Sequence, residues 1–91
     1  MARRLHVIIQ GRVQGVGFRY WAHREADARG LTGWVRNRWD GQVEAEFEGP
    51  EEALQQMLLA CRKGPSFAHV TDVTSEWSSS DTEYRDFRIV G

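Results

Sequence analysis

The chain has 91 residues, which is the size of one small domain near the lower limit for a core without disulfide or metal staples. Its composition is 41% hydrophobic and 27% charged with no long apolar run, which excludes a disordered chain and a membrane-spanning one. The net charge of −1 hides an asymmetry: residues 1–39 carry eight basic against two acidic residues, and residues 40–91 carry four against eleven, so an anion site is expected in the first part.

The N-terminus and the cysteine content predict a cytoplasmic protein. Arg3 and Arg4 precede an apolar run of about five residues, which is too short for a signal peptide and leads into a glycine loop rather than a cleavage site. Cys61 has no partner for an internal disulfide, which fits a reducing compartment, and we interpret it as a small buried hydrophobe. We expect a single domain over residues 1–91 and a monomer.

The first elements are a strand, a glycine loop and a helix. Residues 5–10 (LHVIIQ) are rich in β-branched side chains and predict a buried central strand that can extend to Val13. The loop follows within residues 11–21 (GRVQGVGFRYW). Apolar residues then recur at helical spacing over residues 18–29, which predicts an amphipathic helix that ends at Gly30. They are Phe18, Ala22 and Ala26, with Trp21 beside them.

Residues 31–49 predict a β-hairpin. Trp34 and Val35 lie in its first strand, and Asp40-Gly41 is a turn signal. In the second strand apolar residues alternate with acids, which predicts a half-buried strand with a solvated acidic face. The alternating sets are Val43, Ala45 and Phe47 against Glu44, Glu46 and Glu48. A metal site is the alternative for these glutamates, and we favour the solvated face.

The remainder predicts a second helix and two more strands. Proline and acids at residues 49–52 are typical of a helix start, and the helix ends before Gly64-Pro65. A strand is expected over residues 68–77, a loop over the serines 78–80 with Asp81, and a last strand over residues 87–90. The residues of the second helix that should face the core are Leu54, Met57, Leu58 and Cys61.

This order of elements predicts the fold class. Strand, helix, strand, strand, helix and strand form split βαβ units, which give an α+β, ferredoxin-like two-layer sandwich. We expect βαββαβ with a short extra C-terminal strand, and an antiparallel sheet with both helices on one face. This architecture hosts many activities, so the fold alone predicts no function.

The glycine loop has the properties of an anion site. It joins the end of a strand to the start of a helix, where backbone N–H groups and the helix dipole favour negative charge. Gly15 and Gly17 allow positive φ and a close approach to a ligand. Arg19 can grip two phosphate oxygens at once. The alternative is a tight turn with a capping arginine, since the spacing fits neither the Walker loop nor the dinucleotide fingerprint.

A second constellation surrounds Asn37, between Arg36 and Arg38. A carboxamide can donate one hydrogen bond and accept another. If its strand neighbours the first strand, Asn37 lies beside the glycine loop; otherwise it is an ordinary turn asparagine. No metal site is predicted, because the histidines lie on separate elements without a partner at ligand spacing. They are His6, His23 and His69.

Both stretches resemble the acylphosphatase family. Residues 11–19 match the first signature of that family, Gly-x-Val-Gln-Gly-Val-x-Phe-Arg. Residues 33–43 match the second, a Gly-aromatic-Val-basic-Asn run followed after three residues by Gly-x-Val, and Gly49 closes it. The element order agrees over nearly the whole chain.

The resemblance implies an enzyme that hydrolyses the carboxyl-phosphate bond of acyl phosphates, giving a carboxylate and inorganic phosphate without a metal or other cofactor. It implies a substrate-binding loop and two catalytic residues: Arg19, which would bind the phosphate, and Asn37, which would hold the attacking water. The loop residues are Gln14, Gly15, Val16, Gly17, Phe18 and Arg19.

The chemistry of an acyl phosphate agrees with a loop that lacks a nucleophile and a base. A carboxylate leaves without a general acid, and a loose phosphoryl-transfer transition state asks little of the attacking water. Charge neutralisation and positioning then suffice, with each oriented donor worth ~3–4 kcal/mol. We expect direct attack by water and no phosphoenzyme.

Two other functions remain open for the chain. RNA-recognition domains share the two-layer topology, and the cluster of Trp34, Arg36, Arg38 and Trp39 could stack on bases. The net negative charge and the position of the glycines between strand and helix disfavour nucleic acid. A phosphate sensor without catalysis is the third interpretation. The physiological substrate among acyl phosphates stays open.

Overall fold

The computed structural model describes residues 2–80 and 83–91, without the side chain of Ala2. Over these residues the chain alternates strands and helices in the predicted order. The elements are β1 (Ala2–Arg12), α1 (Phe18–Ala28), β2 (Thr32–Asn37), β3 (Val43–Gly49), α2 (Glu51–Lys63), β4 (His69–Ser80) and β5 (Phe87–Ile89).

The strands form one sheet in the order β4-β1-β3-β2-β5. β1 pairs antiparallel with β3 and β4, and β2 pairs antiparallel with β3. α1 packs on β2 and β5, while α2 packs on β4, β1 and β3, and both helices bury their apolar stripes in the same core. The predicted ferredoxin-like two-layer sandwich with an extra C-terminal strand is confirmed.

The prediction of a fully antiparallel sheet is wrong at β5. This strand runs parallel to β2, with Phe87 beside Gly33 and Ile89 beside Val35. β4 ends at Ser80 on one edge of the sheet, and β5 begins at the opposite edge. β2 starts at the same end of the sheet where β4 finishes, and β5 begins beside the start of β2, so the two strands run in the same direction. The sheet is therefore mixed.

The core lies between the helices and the inner face of the sheet. Alternate residues of β1 and β3 are fully buried there, as the period-two pattern predicts. Leu54, Met57 and Cys61 of α2 are buried with them, and Leu58 is half-buried. Cys61 is fully buried and free, which confirms its interpretation as a buried hydrophobe, and this burial raises the pKa of its thiol to about 12. The strand residues are Leu5, Val7, Ile9, Val43, Ala45 and Phe47.

β4 is longer than the sequence predicted. Ser78, Ser79 and Ser80 were expected in a loop, but they continue β4 and pair with Arg4, Arg3 and Ala2. Backbone hydrogen bonding does not depend on the side chain. Because β1 begins at Ala2, its first residues offer backbone partners to the part of β4 that follows Trp77. Asp81, the fourth residue of the predicted loop, lies outside the described residues.

The outer face of the sheet is not the solvated acidic surface that we predicted. Glu48 is only 4% exposed, and its carboxylate accepts hydrogen bonds from Arg4 Nε at 2.6 Å and from the Tyr84 amide at 2.7 Å. Tyr84 Oη donates to Glu46 at 2.5 Å. Tyr84 lies over this face, with its ring against Arg4, which the alternation within β3 alone could not indicate.

Glu44 completes this set of carboxylates. It bonds to His6 Nε2 at 2.7 Å and pairs with Arg36 at 2.6 Å. Burial acts to raise the pKa of Glu44, but the hydrogen bonds from His6 and Arg36 outweigh it and hold the pKa below its ordinary value. We call Glu44, Glu46 and Glu48 with these partners the outer-face network.

Candidate active site

The glycine loop connects the end of β1 to the start of α1. Gly15 and Gly17 have φ of 72° and 78°, in the left-handed region, and a β-carbon at either position would meet no atom within 4 Å. The backbone conformation, rather than crowding, therefore requires glycine at both positions. Such turns direct successive N–H groups toward one side of the chain.

The start of α1 leaves its backbone donors without partners. Gly17 is the N-cap residue and makes no side-chain cap, and the first turn holds no acidic residue. α2 differs, because Glu51 and Glu52 occupy its first turn. Within the described ranges, no backbone carbonyl accepts a hydrogen bond from the N–H groups of residues 15–20. These donors and the positive end of the helix dipole favour an anion.

A hollow of about 130 Å³ opens above this loop. It brings together the predicted catalytic residues Arg19 and Asn37 with most of the predicted loop. Of the other predicted residues, Gln14 and Val16 do not line it. The lining residues are Val13, Gly15, Gly17, Phe18, Arg19, Tyr20 and Asn37.

Arg19 is half-buried at the start of α1. Its side chain makes no ion pair or hydrogen bond with any residue that the structure describes. The guanidinium is thus a positive charge beside the hollow with its donors available. A planar fork of this kind matches two oxygens of a phosphate.

Asn37 is the last residue of β2, where it pairs with Val43. Its Oδ1 is buried and has no hydrogen-bond partner among the described residues. A buried acceptor left in that state costs about 1–3 kcal/mol. A water molecule or a ligand in the hollow would satisfy such an acceptor.

The route that brings Asn37 to the loop differs from the predicted one. β2 is not a neighbour of β1, because β3 lies between them. Instead, the loop reaches across the end of β3 through Gln14, whose Nε2 donates to the Arg38 carbonyl at 2.7 Å and the Gln42 carbonyl at 2.9 Å. Gln14 thereby holds the loop against the hairpin that carries Asn37. The sequence signal for this contact was a lone carboxamide between glycines, which does not identify a partner.

The arginines that flank Asn37 are paired elsewhere. Arg36 binds Glu44 on the outer face, and Arg38 Nε donates to Asp40 at 3.0 Å. Burial acts to raise the pKa of Asp40, but the hydrogen bonds from the Gln42 amide and from Arg38 lower it below its ordinary value. Among the residues that line the hollow, Arg19 is therefore the side chain that carries charge.

The hollow combines one positive charge with a polar carboxamide. No carboxylate, histidine, serine or cysteine is among its lining residues. Across the described part of the chain, no group of three or more His, Cys, Asp or Glu side chains is arranged to hold a metal ion.

Neither described helix has the length and apolarity needed to span a bilayer.

Known proteins match the chain over almost its whole length. The sequence profile of the family described as Acylphosphatase matches residues 5–89. The acylphosphatase of Bacillus velezensis is 55% identical over 92% of this chain and 93% of its own length. That of Azorhizobium caulinodans is 48% identical over 98% of this chain and 96% of its own.

Solved structures give the same result. The crystal structure of acylphosphatase from Bacillus subtilis superposes with a TM-score of 0.94 at 48% identity, covering 98% of this chain and 99% of that one. Full-length HypF in its phosphate- and nucleotide-bound form matches with a TM-score of 0.90 at 30% identity. That match covers all of this chain and 12% of the HypF chain, so the same fold also occurs as a small part of a larger protein.

Proposed function

The chain belongs to the acylphosphatase family, and we propose that it hydrolyses the carboxyl-phosphate bond of acyl phosphates by direct attack of water on phosphorus. One observation supports the proposal: loop residues and the two candidate catalytic residues, Arg19 and Asn37, line one hollow. Among the described residues, the amides of residues 15–19 have no backbone acceptor, the Arg19 side chain has no partner, and Oδ1 of Asn37 is buried without a hydrogen bond. The products are a carboxylate and inorganic phosphate.

The loop and Arg19 bind the phosphate in this mechanism. The amides of Gly15 to Arg19 donate to the non-bridging oxygens, and the Arg19 guanidinium spans two of them. The side-chain amide of Gln14 fixes the loop to the hairpin through the Arg38 and Gln42 carbonyls. Gln14 therefore supports the loop and does not donate its side-chain amide to the phosphate. Donors aimed at charge that develops in the transition state are worth ~3–4 kcal/mol each.

Asn37 positions the water. Its Oδ1 accepts a hydrogen bond from the water and so directs the oxygen lone pair toward phosphorus. The water oxygen forms the new P–O bond, and the bond from phosphorus to the acyl oxygen breaks with its electron pair passing to the carboxylate. The proton lost by the water passes to a phosphoryl oxygen or to solvent.

No general base is needed for this step. The carboxylate is a weak base and leaves unprotonated, and the loose transition state develops little charge on the water. The positive charge that the transferring group requires comes from Arg19 and the end of α1, so we propose that no metal ion takes part.

The experiment is to mix the purified protein with benzoyl phosphate in the presence of a chelator and to follow benzoate and inorganic phosphate. We expect turnover that inorganic phosphate inhibits competitively. Phosphate binding without turnover would favour the sensor, and salt-sensitive binding of an oligonucleotide without phosphate release would favour a nucleic-acid module.

The position of attack is tested in water labelled with oxygen-18. Attack on phosphorus places the label in inorganic phosphate, whereas attack on the carbonyl carbon places it in benzoate. Label in benzoate would contradict the role of Asn37, because the water would then be held beside the wrong atom.

We also propose that the protein acts as a cytoplasmic monomer that binds no nucleic acid. Cys61 is buried, and every residue of the proposed mechanism lies on one chain. Light scattering during gel filtration should give the mass of one chain, 10.5 kDa.

A further inference from the structure

A groove of about 1170 Å³ lies between α1 and α2, beside the phosphate hollow. Tyr20 and Trp21 of α1 line one wall, Leu59 and Lys63 of α2 line the other, and Phe67 closes the end beyond α2. The mechanism above uses none of these side chains. We call this space the inter-helix groove.

The groove is continuous with the hollow. Gly17 and Tyr20 line both spaces, and Val16, the loop residue that turns away from the hollow, lines the groove. The segment after α2 is held close to this junction, because a β-carbon at Gly64 would lie 3.4 Å from Phe18 Cε2 and 3.0 Å from Val70. Because Gly17 and Tyr20 border both spaces, the inter-helix groove is the neighbouring space for the part of a ligand that lies outside the hollow.

The walls of the groove are apolar and exposed to an unusual degree. Tyr20 is 70% exposed, Leu59 69% and Phe67 78%. The other large hydrophobic residues exposed in the described part of the chain are Trp39 and Val90, which lie outside the groove. Exposed apolar side chains that gather in one place mark a contact surface, whereas single ones need no explanation.

The charges of the groove suit an anionic ligand that arrives from solution. Glu25 is occupied by Arg29, whose Nη1 lies 2.9 Å from Oε1 of the glutamate. Arg24 and Lys63 line the same space and add positive charge. A phosphate approaching the hollow through the groove thus meets net attraction.

We propose that the inter-helix groove holds the acyl end of the substrate, and that the protein prefers acyl phosphates with bulky apolar acyl groups, aromatic ones above all. This inference rests on the proposed function and deepens it. In this proposal a benzoyl ring beyond the hollow contacts Tyr20 and then Leu59 or Phe67, whereas an acetyl group offers a single methyl group for such contacts. Leu59 and Phe67 are then specificity residues, without a part in the hydrolytic step.

The test compares kcat/KM for benzoyl phosphate with kcat/KM for acetyl phosphate in the full chain. We expect the double variant Leu59→Ser/Phe67→Ser to lower the benzoyl-to-acetyl ratio about 10-fold, the low end of what apolar contacts give in a closed pocket. The loss should appear as a higher KM for benzoyl phosphate with kcat kept, because the contact is the same in ground and transition states. Acetyl phosphate turnover should stay at the wild-type level.

Two control variants remove exposed side chains elsewhere. Gln55→Ser shortens an exposed side chain of α2 outside the groove and should leave the ratio unaltered. Trp39→Ser, which removes an exposed aromatic side chain outside the groove, should leave it unaltered as well. A ratio that falls in Trp39→Ser instead would place the acyl group against the hairpin and overturn the inference.

The other outcomes separate the two proposals. Turnover of both substrates with no change of ratio in the double variant would refute the groove and keep the hydrolytic function. Absence of turnover of either substrate by the wild type would refute the function itself. All the substituted side chains are exposed, so matching circular dichroism spectra and melting temperatures are expected for every variant.

Discussion

The hollow beside the glycine loop and the outer-face network both contain polar groups. They differ in whether those groups have hydrogen-bond partners among the described residues. On the outer face Glu48 accepts from Arg4 and Tyr84, and Glu44 accepts from His6 and Arg36. In the hollow Arg19 has no charged partner and Asn37 keeps a buried acceptor unsatisfied, among the residues that the structure describes.

We infer from this difference that the outer-face network stabilises the fold, whereas the hollow serves ligand binding. A buried carboxylate must be paired to be tolerated, so the outer-face network satisfies itself. A site that binds a ligand must instead leave donors and acceptors free, at a cost to the unliganded fold that the ligand offsets. Substitutions in the hollow should therefore change activity and leave stability, and substitutions in the network should do the reverse.

Arg19→Ala is expected to have the largest effect. Removal of the free charge beside the hollow should lower kcat/KM for benzoyl phosphate by about 10³-fold and weaken the competitive inhibition by inorganic phosphate. Arg62→Ala, which removes an exposed arginine from the last turn of α2, is the matched control and should keep wild-type turnover. Equal loss in both variants would mean that net charge, rather than the hollow, drives the reaction.

Asn37→Ala should lower kcat by about 10²-fold, because the water loses its acceptor, while phosphate inhibition is kept. The melting temperature should stay the same or rise, since the variant removes a buried acceptor without a partner. Steady-state kinetics and thermal unfolding of one preparation measure both. A clear drop in melting temperature would show that Asn37 stabilises the fold. It would contradict the expectation that substitutions in the hollow change activity and leave stability unchanged.

Glu48→Ala tests the other region. It removes the carboxylate that accepts from Arg4 Nε and from the Tyr84 amide, while Arg4 keeps its pairing with Glu46 at 3.8 Å. We expect a loss of about 2 kcal/mol in the free energy of unfolding. Urea unfolding measures the loss, and benzoyl phosphate turnover should be unchanged at low temperature. Glu76→Ala, an exposed acid on β4, should stay within about 0.5 kcal/mol. Loss of turnover in the folded Glu48 variant would link the two regions.

The smallest expected effect is the pH dependence of Glu44. Its pKa is lower in the folded chain than its ordinary value of 4.5, so its contribution to stability is present above pH 4.5 and is lost as the pH falls through the lower folded value. We expect Glu44→Gln to lose less stability than the wild type between pH 5 and about pH 3, by less than about 1 kcal/mol. Urea midpoints at both pH values measure it, and parallel pH profiles would contradict the pairing.

The sequence predicted what depends on local patterns. The period-two burial of β1 and β3, the apolar stripes of α1 and α2 and the glycine loop before Phe18 all follow from spacing along the chain. The meeting of Arg19 and Asn37 followed from the resemblance to a known family, and the structure brings the two residues together. Their roles remain predictions.

Contacts between distant parts of the chain could not be predicted. The parallel pairing of β5 depends on which end of β2 it begins beside, and the contact that covers Glu48 comes from Tyr84, 36 positions further along the chain. The contacts of Gln14 with the Arg38 and Gln42 carbonyls are of the same kind, because backbone acceptors are present at every residue and leave no signal in the sequence.

A titration of the ¹⁵N-labelled protein with inorganic phosphate, followed through its backbone amide signals, tests most directly whether the hollow or the outer-face network binds the anion. Both regions carry arginines, so the anion has a choice between them. We predict that the shifts concentrate on residues 15–19 and on Asn37, and that they disappear in Arg19→Ala. Shifts that concentrate instead on Arg4 and Arg36 of the outer-face network would contradict this prediction.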